Sequence, residues 1–211
     1  MMARVLIFGD SITWGAWDLE EGGWVQRLKN FLGKDSLSSS DSDFTVYNLG
    51  ISGDTTDALL TRLGFETKVR LREGEEIILV FAYGVNDSAF LHQENSLWVP
   101  LEKYKENLQK ILEIGKKFSS KIIFIGLTPV DEKRTTPVSW VPISYKNENI
   151  IKFNNTLRGF CKENDVYFVE IYEKLAKMDY PNLLEDGAHP NSKGHKEIFE
   201  IVKKFFVKNI L

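Results

Sequence analysis

The sequence predicts an α/β fold: a parallel sheet of five strands with helices on both faces. Two observations carry that expectation. Five short apolar runs, at residues 5–8, 44–49, 77–83, 121–127 and 166–171, alternate with longer segments whose apolar residues recur every three or four positions. Strand–helix alternation of this kind builds right-handed βαβ units and a parallel sheet. The runs at 5–8 and 77–83 are also apolar throughout, the pattern of strands buried on both faces.

Val5-Leu6-Ile7-Phe8 opens the chain as the first strand and stops abruptly at Gly9-Asp10-Ser11. Gly22-Gly23 precede a helical stripe of Trp24, Val25, Leu28, Phe31 and Leu32. The serine- and aspartate-rich stretch 36–43 reads as a solvated loop between that helix and the strand Phe44 to Leu49. Asp54-Thr55-Thr56-Asp57 offers N-cap chemistry for a helix to about Arg72. Ile77 to Tyr83 is the longest apolar run and the expected central strand, followed by Gly84-Val85-Asn86-Asp87 and a loop to Pro100. Tyr104, Leu108, Ile111, Leu112 and Gly115 mark the inner face of the next helix, and Lys121 to Leu127 the fourth strand. Asp131 to Ser144 has no period and reads as a surface loop near the functional site. Ile150, Phe153, Leu157, Phe160 and Cys161 form another helical stripe, and Val166 to Ile171 the fifth strand. A final helix carries Ile198, Ile201, Val202 and Phe205, with Phe199 and Phe206 widening its apolar face for docking. Five strands favour the flavodoxin-like order 2-1-3-4-5 over a six-stranded dinucleotide fold. No internal repeat or change of composition divides the chain, so residues 1–211 are expected to form one domain.

Composition narrows the function. A net charge of −3 gives no basic surface for nucleic acid and no reason to expect an anionic membrane as partner. The lone Cys161 excludes an internal disulfide and a cysteine-rich metal site, and reads as a small core residue. Four apolar residues before Gly9 are too few for a signal-peptide core, and no run approaches membrane-spanning length, so a cytoplasmic protein is expected.

Polar punctuation falls where chemistry would need it. Ser11 follows the first strand, Gly53 the second and Asn86 the third, while Asp186 and His189 precede the last helix. In a parallel sheet the first three converge at one edge, where ligands of open α/β sheets sit. Each alone has an ordinary structural reading: N-cap, turn glycine, turn asparagine. Of the three histidines, His189 is held outside the helix by Pro190, His195 reads as surface, and His92 lies in a loop. Together the residues fit one reaction. Ser11 attacks an acyl carbon, His189 takes its proton, and Asp186 orients the imidazole, whose ordinary pKa of about 6.5 suits a base at neutral pH. The N–H groups of Ser11 and Gly53 and the amide of Asn86 are the candidate oxyanion donors. Glycine at 53 spares the substrate a crowding Cβ, and asparagine at 86 donates without charge. The nucleophile elbow G-x-S-x-G does not match, because Thr13 stands at its last position.

These motifs resemble those of the SGNH, or GDSL-type, hydrolases. Gly9-Asp10-Ser11-Ile12-Thr13 is similar to the family's first block, Asn48 to Thr56 to its second, Gly84-Val85-Asn86-Asp87 to its third and Asp186 to Asn191 to its fifth. The resemblance spans residues 5–191 in the family's order, with Ile12 for the leucine of its nickname. It implies a flavodoxin-like three-layer α/β/α sandwich and hydrolysis of a small-molecule ester or thioester without metal or cofactor. By position it implies Ser11 as nucleophile, Gly53 and Asn86 as oxyanion donors, and Asp186 and His189 as acid and base, with Asp10 and Asp87 in support. Oligomeric state stays open.

Two other classes compete: an acyl- or carbohydrate-binding module without turnover, and phosphoryl chemistry at Asp10. The second lacks a carboxylate cluster for Mg²⁺ and a phosphate-cradling glycine loop. Acyl transfer to an alcohol is a variant of the first reading. Trp14, Trp17, Phe90, Leu91, Leu97 and Trp98 either line an acyl pocket or pack loops, and the lack of a long apolar lid favours short acyl chains.

Overall fold

A computed structural model describes residues 2–38 and 43–211. Five strands, β1 (Met2–Gly9), β2 (Asp43–Gly50), β3 (Glu76–Ala82), β6 (Lys121–Ile125) and β8 (Tyr167–Val169), form a parallel sheet in the order β2-β1-β3-β6-β8. Counted along the chain this is the order 2-1-3-4-5, with β3 central as its unbroken apolar run requires. Val5 to Phe8 and Ile78 to Val80 are fully buried. Right-handed crossovers divide the helices between the two faces. On one face α2 (Gly23–Ser38) packs against α8 (Ser192–Asn209); on the other α4 (Leu101–Gly115) lies between α3 (Thr56–Lys68) and α6 (Asn147–Glu163). The result is a three-layer α/β/α sandwich.

Each long helix buries the stripe its spacing marks out. Trp24, Val25, Leu28 and Leu32 on α2 are buried, as are Tyr104, Leu108, Ile111 and Leu112 on α4 and Ile150, Phe153, Leu157 and Cys161 on α6. The Cys161 thiol is pushed up to about 12 by burial, which keeps it an inert core group. On α8, Phe206 belongs to the core, while Phe199 stacks edge-on against Phe31. No helix among the described residues is long and apolar enough to cross a membrane.

The structure corrects the expected elements in several places. The stretch 36–43 is not a loop at its ends: α2 runs through Ser38 and β2 begins at Asp43, with 39–42 outside the described residues. α3 ends at Lys68 rather than near Arg72 because the last turn tightens, Arg70 N–H reaching Thr67 O while its guanidinium holds Glu66 O. The segments 88–99 and 131–144 contain elements too short for any period to reveal. β4 (Phe90–Leu91), β5 (Ser96–Leu97) and β7 (Ile143–Ser144) make a small antiparallel sheet in the order β5-β4-β7, and α5 (Glu132–Thr135) is a single turn, as is α7 (Tyr172–Leu175) beyond β8.

His195 is not a surface residue but is fully buried. Its spacing to Ile198, Val202 and Phe206 places it on the inner face of α8. Nδ1 accepts from Trp24 N–H at 3.3 Å and Nε2 donates to Ala16 O at 2.9 Å, which fixes the neutral tautomer; burial lowers its pKa in the same sense. Replacing it by phenylalanine, His195→Phe, keeps the ring but strands both backbone groups. We expect a loss of about 2–4 kcal/mol in urea unfolding; an unchanged midpoint would mean that these two bonds carry no stability.

Candidate active site

The site begins where β1 leaves the sheet. Asp10 caps the four-residue helix α1 (Ser11–Trp14), its Oδ1 accepting from Ile12 N–H at 2.9 Å. That cap seats Ser11 as the first helical residue, just outside the carboxyl end of the strand. Close approach makes this possible: a Cβ on Gly50 would lie 2.3 Å from the Trp14 nitrogen. Asp10 itself is buried, and burial pushes its carboxyl up to about 6 against the pull of the Ile12 N–H and of His189.

His189 arrives from far along the chain. Asp186 folds its segment back on itself, Oδ1 accepting from the N–H groups of Ala188 at 2.9 Å and His189 at 2.8 Å. The turn needs Gly187, whose φ is +96° and whose missing Cβ would stand 2.6 Å from Arg134 Cβ. This geometry brings His189 Nδ1 to 2.7 Å from Asp186 Oδ2 and Nε2 to 2.8 Å from Ser11 Oγ. Burial alone would raise the Asp186 carboxyl, but hydrogen bonds from His189 and Ala188 outweigh it and hold the group below the usual carboxylate range. Trp17 Nε1–H also donates to Oδ2, at 2.8 Å, and its ring meets His189 edge-on. Arg134 holds the segment from outside, donating to the carbonyls of Pro181, Leu184 and Glu185.

Gly53 and Asn86 complete the ring of groups. Gly53 has φ +80°, and a Cβ there would meet nothing within 4 Å, so glycine is required by the backbone and not by crowding from the protein. The Asn86 amide is held at both ends: Nδ2 donates to Asp54 O at 2.9 Å and Oδ1 accepts from Tyr145 O–H at 2.9 Å. Because Asp54 O can only accept, the nitrogen must face it, and its second N–H stays uncommitted. Among the described residues no protein acceptor takes the N–H of Ser11 or of Gly53. Asp87 lies behind the site. Its Oδ1 accepts from Thr56 N–H at 3.0 Å and from Thr56 Oγ1–H, while Asn107 donates to Thr56 Oγ1 at 2.9 Å. It therefore fixes the start of α3.

Ser11, Gly53, Asn86 and His189 share one cavity of about 530 Å³. Leu91, Trp98, Trp140, Val141, Ile143 and Tyr145, from the small antiparallel sheet and the segments beside it, also line it. Leu91 and Trp98 thus take the pocket position open to them from sequence. Phe90 and Leu97 face each other across the β4–β5 pair, Trp14 is exposed, and Trp17 sits at Asp186. His92 bonds Ser144 Oγ through Nε2 at 2.8 Å, outside the cavity wall. Among the described residues no group of three or more His, Cys, Asp or Glu side chains could hold a metal ion. Tyr145 and Arg134 were not legible as site residues, since neither sits in a motif. Two hydrogen bonds join the hydroxyl, the imidazole and the carboxylate, and Gly53 and Asn86 line the same cavity as Ser11.

The chain resembles known proteins in sequence and in fold. The GDSL-like Lipase/Acylhydrolase family model matches residues 7–197. The human isoamyl acetate-hydrolyzing esterase 1 homolog is 25% identical over 210 residues, covering 93% of this chain and 78% of its own. A lipase/acylhydrolase from Enterococcus faecalis superposes with a TM-score of 0.73 at 23% identity, over 97% of this chain and 95% of that one. A variant of an acetyl xylan esterase from Geobacillus stearothermophilus superposes with a TM-score of 0.75 at 20% identity, over 99% and 96% of the two chains. At these identities the two structures speak to fold alone.

Asp87 generates a prediction of its own. Burial pushes its carboxyl up to about 7, and Oδ2 is buried without a partner. The folded protein therefore keeps a proton that the unfolded chain releases above the ordinary carboxylate pKa of about 3.9. The resulting stabilisation is complete below that value and is lost as pH rises to about 7. Asp87→Asn keeps the Oδ1 acceptor and abolishes the titration. It should gain stability relative to the parent between pH 5 and 8, read from urea midpoints; an equal difference at both pH values would refute the shift.

Proposed function

This chain belongs to the GDSL-like lipase/acylhydrolase family, and we propose that it is a carboxylic ester hydrolase acting on short-chain acyl esters through an acyl-enzyme at Ser11. The observation that carries this reading is the continuous relay from Ser11 Oγ through His189 to Asp186, with contacts of 2.8 and 2.7 Å. His189 Nε2 takes the hydroxyl proton as Oγ bonds to the acyl carbon, and Asp186 stabilises the imidazolium that forms. Collapse of the tetrahedral adduct expels the alcohol, which takes the proton from His189. Water then repeats the sequence on the acyl-enzyme and frees the acid.

The developing oxyanion sits among the N–H groups of Ser11 and Gly53 and the free N–H of Asn86. Tyr145 donates to the amide oxygen, and Asp54 O takes one amide hydrogen, so the other points in a fixed direction before substrate arrives. Short acyl chains are supported by the apolar side chains of Trp98, Trp140 and Ile143, which line the cavity beside Ser11. The name of one relative points the same way, since isoamyl acetate is an acetyl ester. The five parallel strands, drawn from residues 2 to 169, share one sheet, and α2 from early in the chain packs against α8 at its end, which supports one domain for the whole activity.

Ser11→Ala should lower kcat on p-nitrophenyl acetate by on the order of 10⁶ while the protein stays folded, and an organophosphonate should label Ser11 alone. Full activity in the variant, or labelling at another serine, refutes the nucleophile. It also decides against a binding module, which would show no ester turnover to lose.

The oxyanion assignment is tested at Asn86 and Tyr145. Asn86→Ala should cost about 3 kcal/mol in the transition state, read mainly in kcat, with Asn86→Asp at least as damaging. Tyr145→Phe leaves the amide held at one end only and should cost about tenfold in kcat. A folded Asn86→Ala protein with parental kcat would place the oxyanion elsewhere.

A further inference from the structure

Among the described residues three other than glycine have positive φ: Trp17 at +66°, Asn95 and Asp165. Asn and Asp adopt that region at small cost, but a bulky indole does so only where the surroundings enforce it. Here they do. Gly15 turns the chain at φ +103°, Asp18 N–H bonds Gly15 O at 3.2 Å, and the Asp18 carboxylate gathers the N–H groups of Glu20, Glu21 and Gly23. Burial of the ring is not what this strain serves, because Trp17 remains 50% exposed. What it secures is one contact: Nε1–H on Asp186 Oδ2 at 2.8 Å, the same oxygen that takes His189 Nδ1–H at 2.7 Å. The ring stands edge-on to the imidazole, centroids 6.1 Å apart and planes at 86°.

We propose that Trp17 is a positioning residue, whose indole N–H shares Asp186 Oδ2 with the imidazole and so fixes the carboxylate plane and the angle at which His189 meets Ser11. This rests on the relay proposed above. The second donor also withdraws negative charge from the face that Asp186 turns to the imidazole. The other charged or titratable groups around the pair are Asp10 and His195 on the imidazole side and Tyr145 on the Asp186 side. Arg134 is engaged with backbone carbonyls beside the segment.

The test uses the full chain and p-nitrophenyl acetate, with Trp17→Phe, Trp17→Gly and Ser11→Ala in parallel. Trp17→Phe keeps a ring and removes the donor. It should lower kcat about tenfold with KM unchanged, and move the acid limb of the kcat–pH profile upward by about half a pH unit, because more negative charge then faces the imidazole. Trp17→Gly relieves the backbone and should lose activity at a Tm no lower than the parent's. Parental kcat and profile in Trp17→Phe overturn the inference. So does a loss of kcat with an unmoved profile in Trp17→Phe joined to a fall in Tm in Trp17→Gly, the signature of a structural role. Activity surviving in Ser11→Ala would instead sink the relay itself; an inactive Ser11→Ala beside an unaffected Trp17→Phe sinks the Trp17 inference alone.

Discussion

The register of three parallel strands governs where everything else in this protein can stand. Gly9 pairs with both Gly50 and Ala82, so β1, β2 and β3 end at one level. Each chain leaves the sheet there and turns within four residues to Ser11, Gly53 or Asn86. A shift of register by one residue would reverse the facing of every side chain on the strand and separate these three groups by a strand step. Val5 to Phe8 and Ile78 to Val80, at the centres of β1 and β3, are fully buried in this arrangement. The site is thus a consequence of sheet packing before it is one of local chemistry.

Beneath the strand ends lies a layer of buried polar groups that the apolar core alone would not require. Arg62 binds Asp54 through Nε at 3.0 Å and Nη2 at 2.6 Å, and also reaches Leu49 O and Tyr83 Oη. Asp87, Thr56 and Asn107 form a second network, and Asp10 a third. Buried carboxylates without full compensation cost stability, and the raised Asp10 and Asp87 groups register that cost. What the layer does is hold loops. Asp54 presents its carbonyl to Asn86, Asp87 ties the Asn86 turn to α3, and Asp10 caps the helix that begins with Ser11.

Much of this was legible in the sequence, for identifiable reasons. The sheet order followed from the number of strands and the handedness of crossovers, and Ser11, Gly53 and Asn86 from their place at strand ends. His189 followed from Pro190, which keeps it outside α8. What escaped detection was carried by contacts rather than pattern. Two-residue strands such as β4, β5 and β7 have no period to read. Tyr145 reaches Asn86 across 59 positions of chain, and Trp17 reaches Asp186 across 169. His195 is the instructive error: its spacing to Ile198 and Val202 was readable, but a polar side chain was assigned to solvent where backbone partners were waiting inside.

That buried histidine bears on how Ser11 and His189 find each other across 178 positions of sequence. Neither belongs to a long element that would fix it alone. Ser11 rides on a single helical turn, and His189 on a bend ahead of α8. His195 joins α8 to Ala16 O and Trp24 N–H, on either side of the Trp17 turn. Arg27 on α2 supplies the second link, binding Asp18 Oδ2 at 3.0 Å and Ser192 Oγ at 2.9 Å. Burial works against the Asp18 charge, but N–H groups of Glu21 and Gly23 and the Arg27 guanidinium hold its carboxyl down at about 2. The two links fall within six residues of His189 and within thirteen of Trp14 at the end of α1. They tie α8 to the segment that follows Ser11 before any substrate is bound. The distance between Ser11 and His189 is therefore set by the α2–α8 layer, and their contact inherits the rigidity of that layer rather than of its own loops.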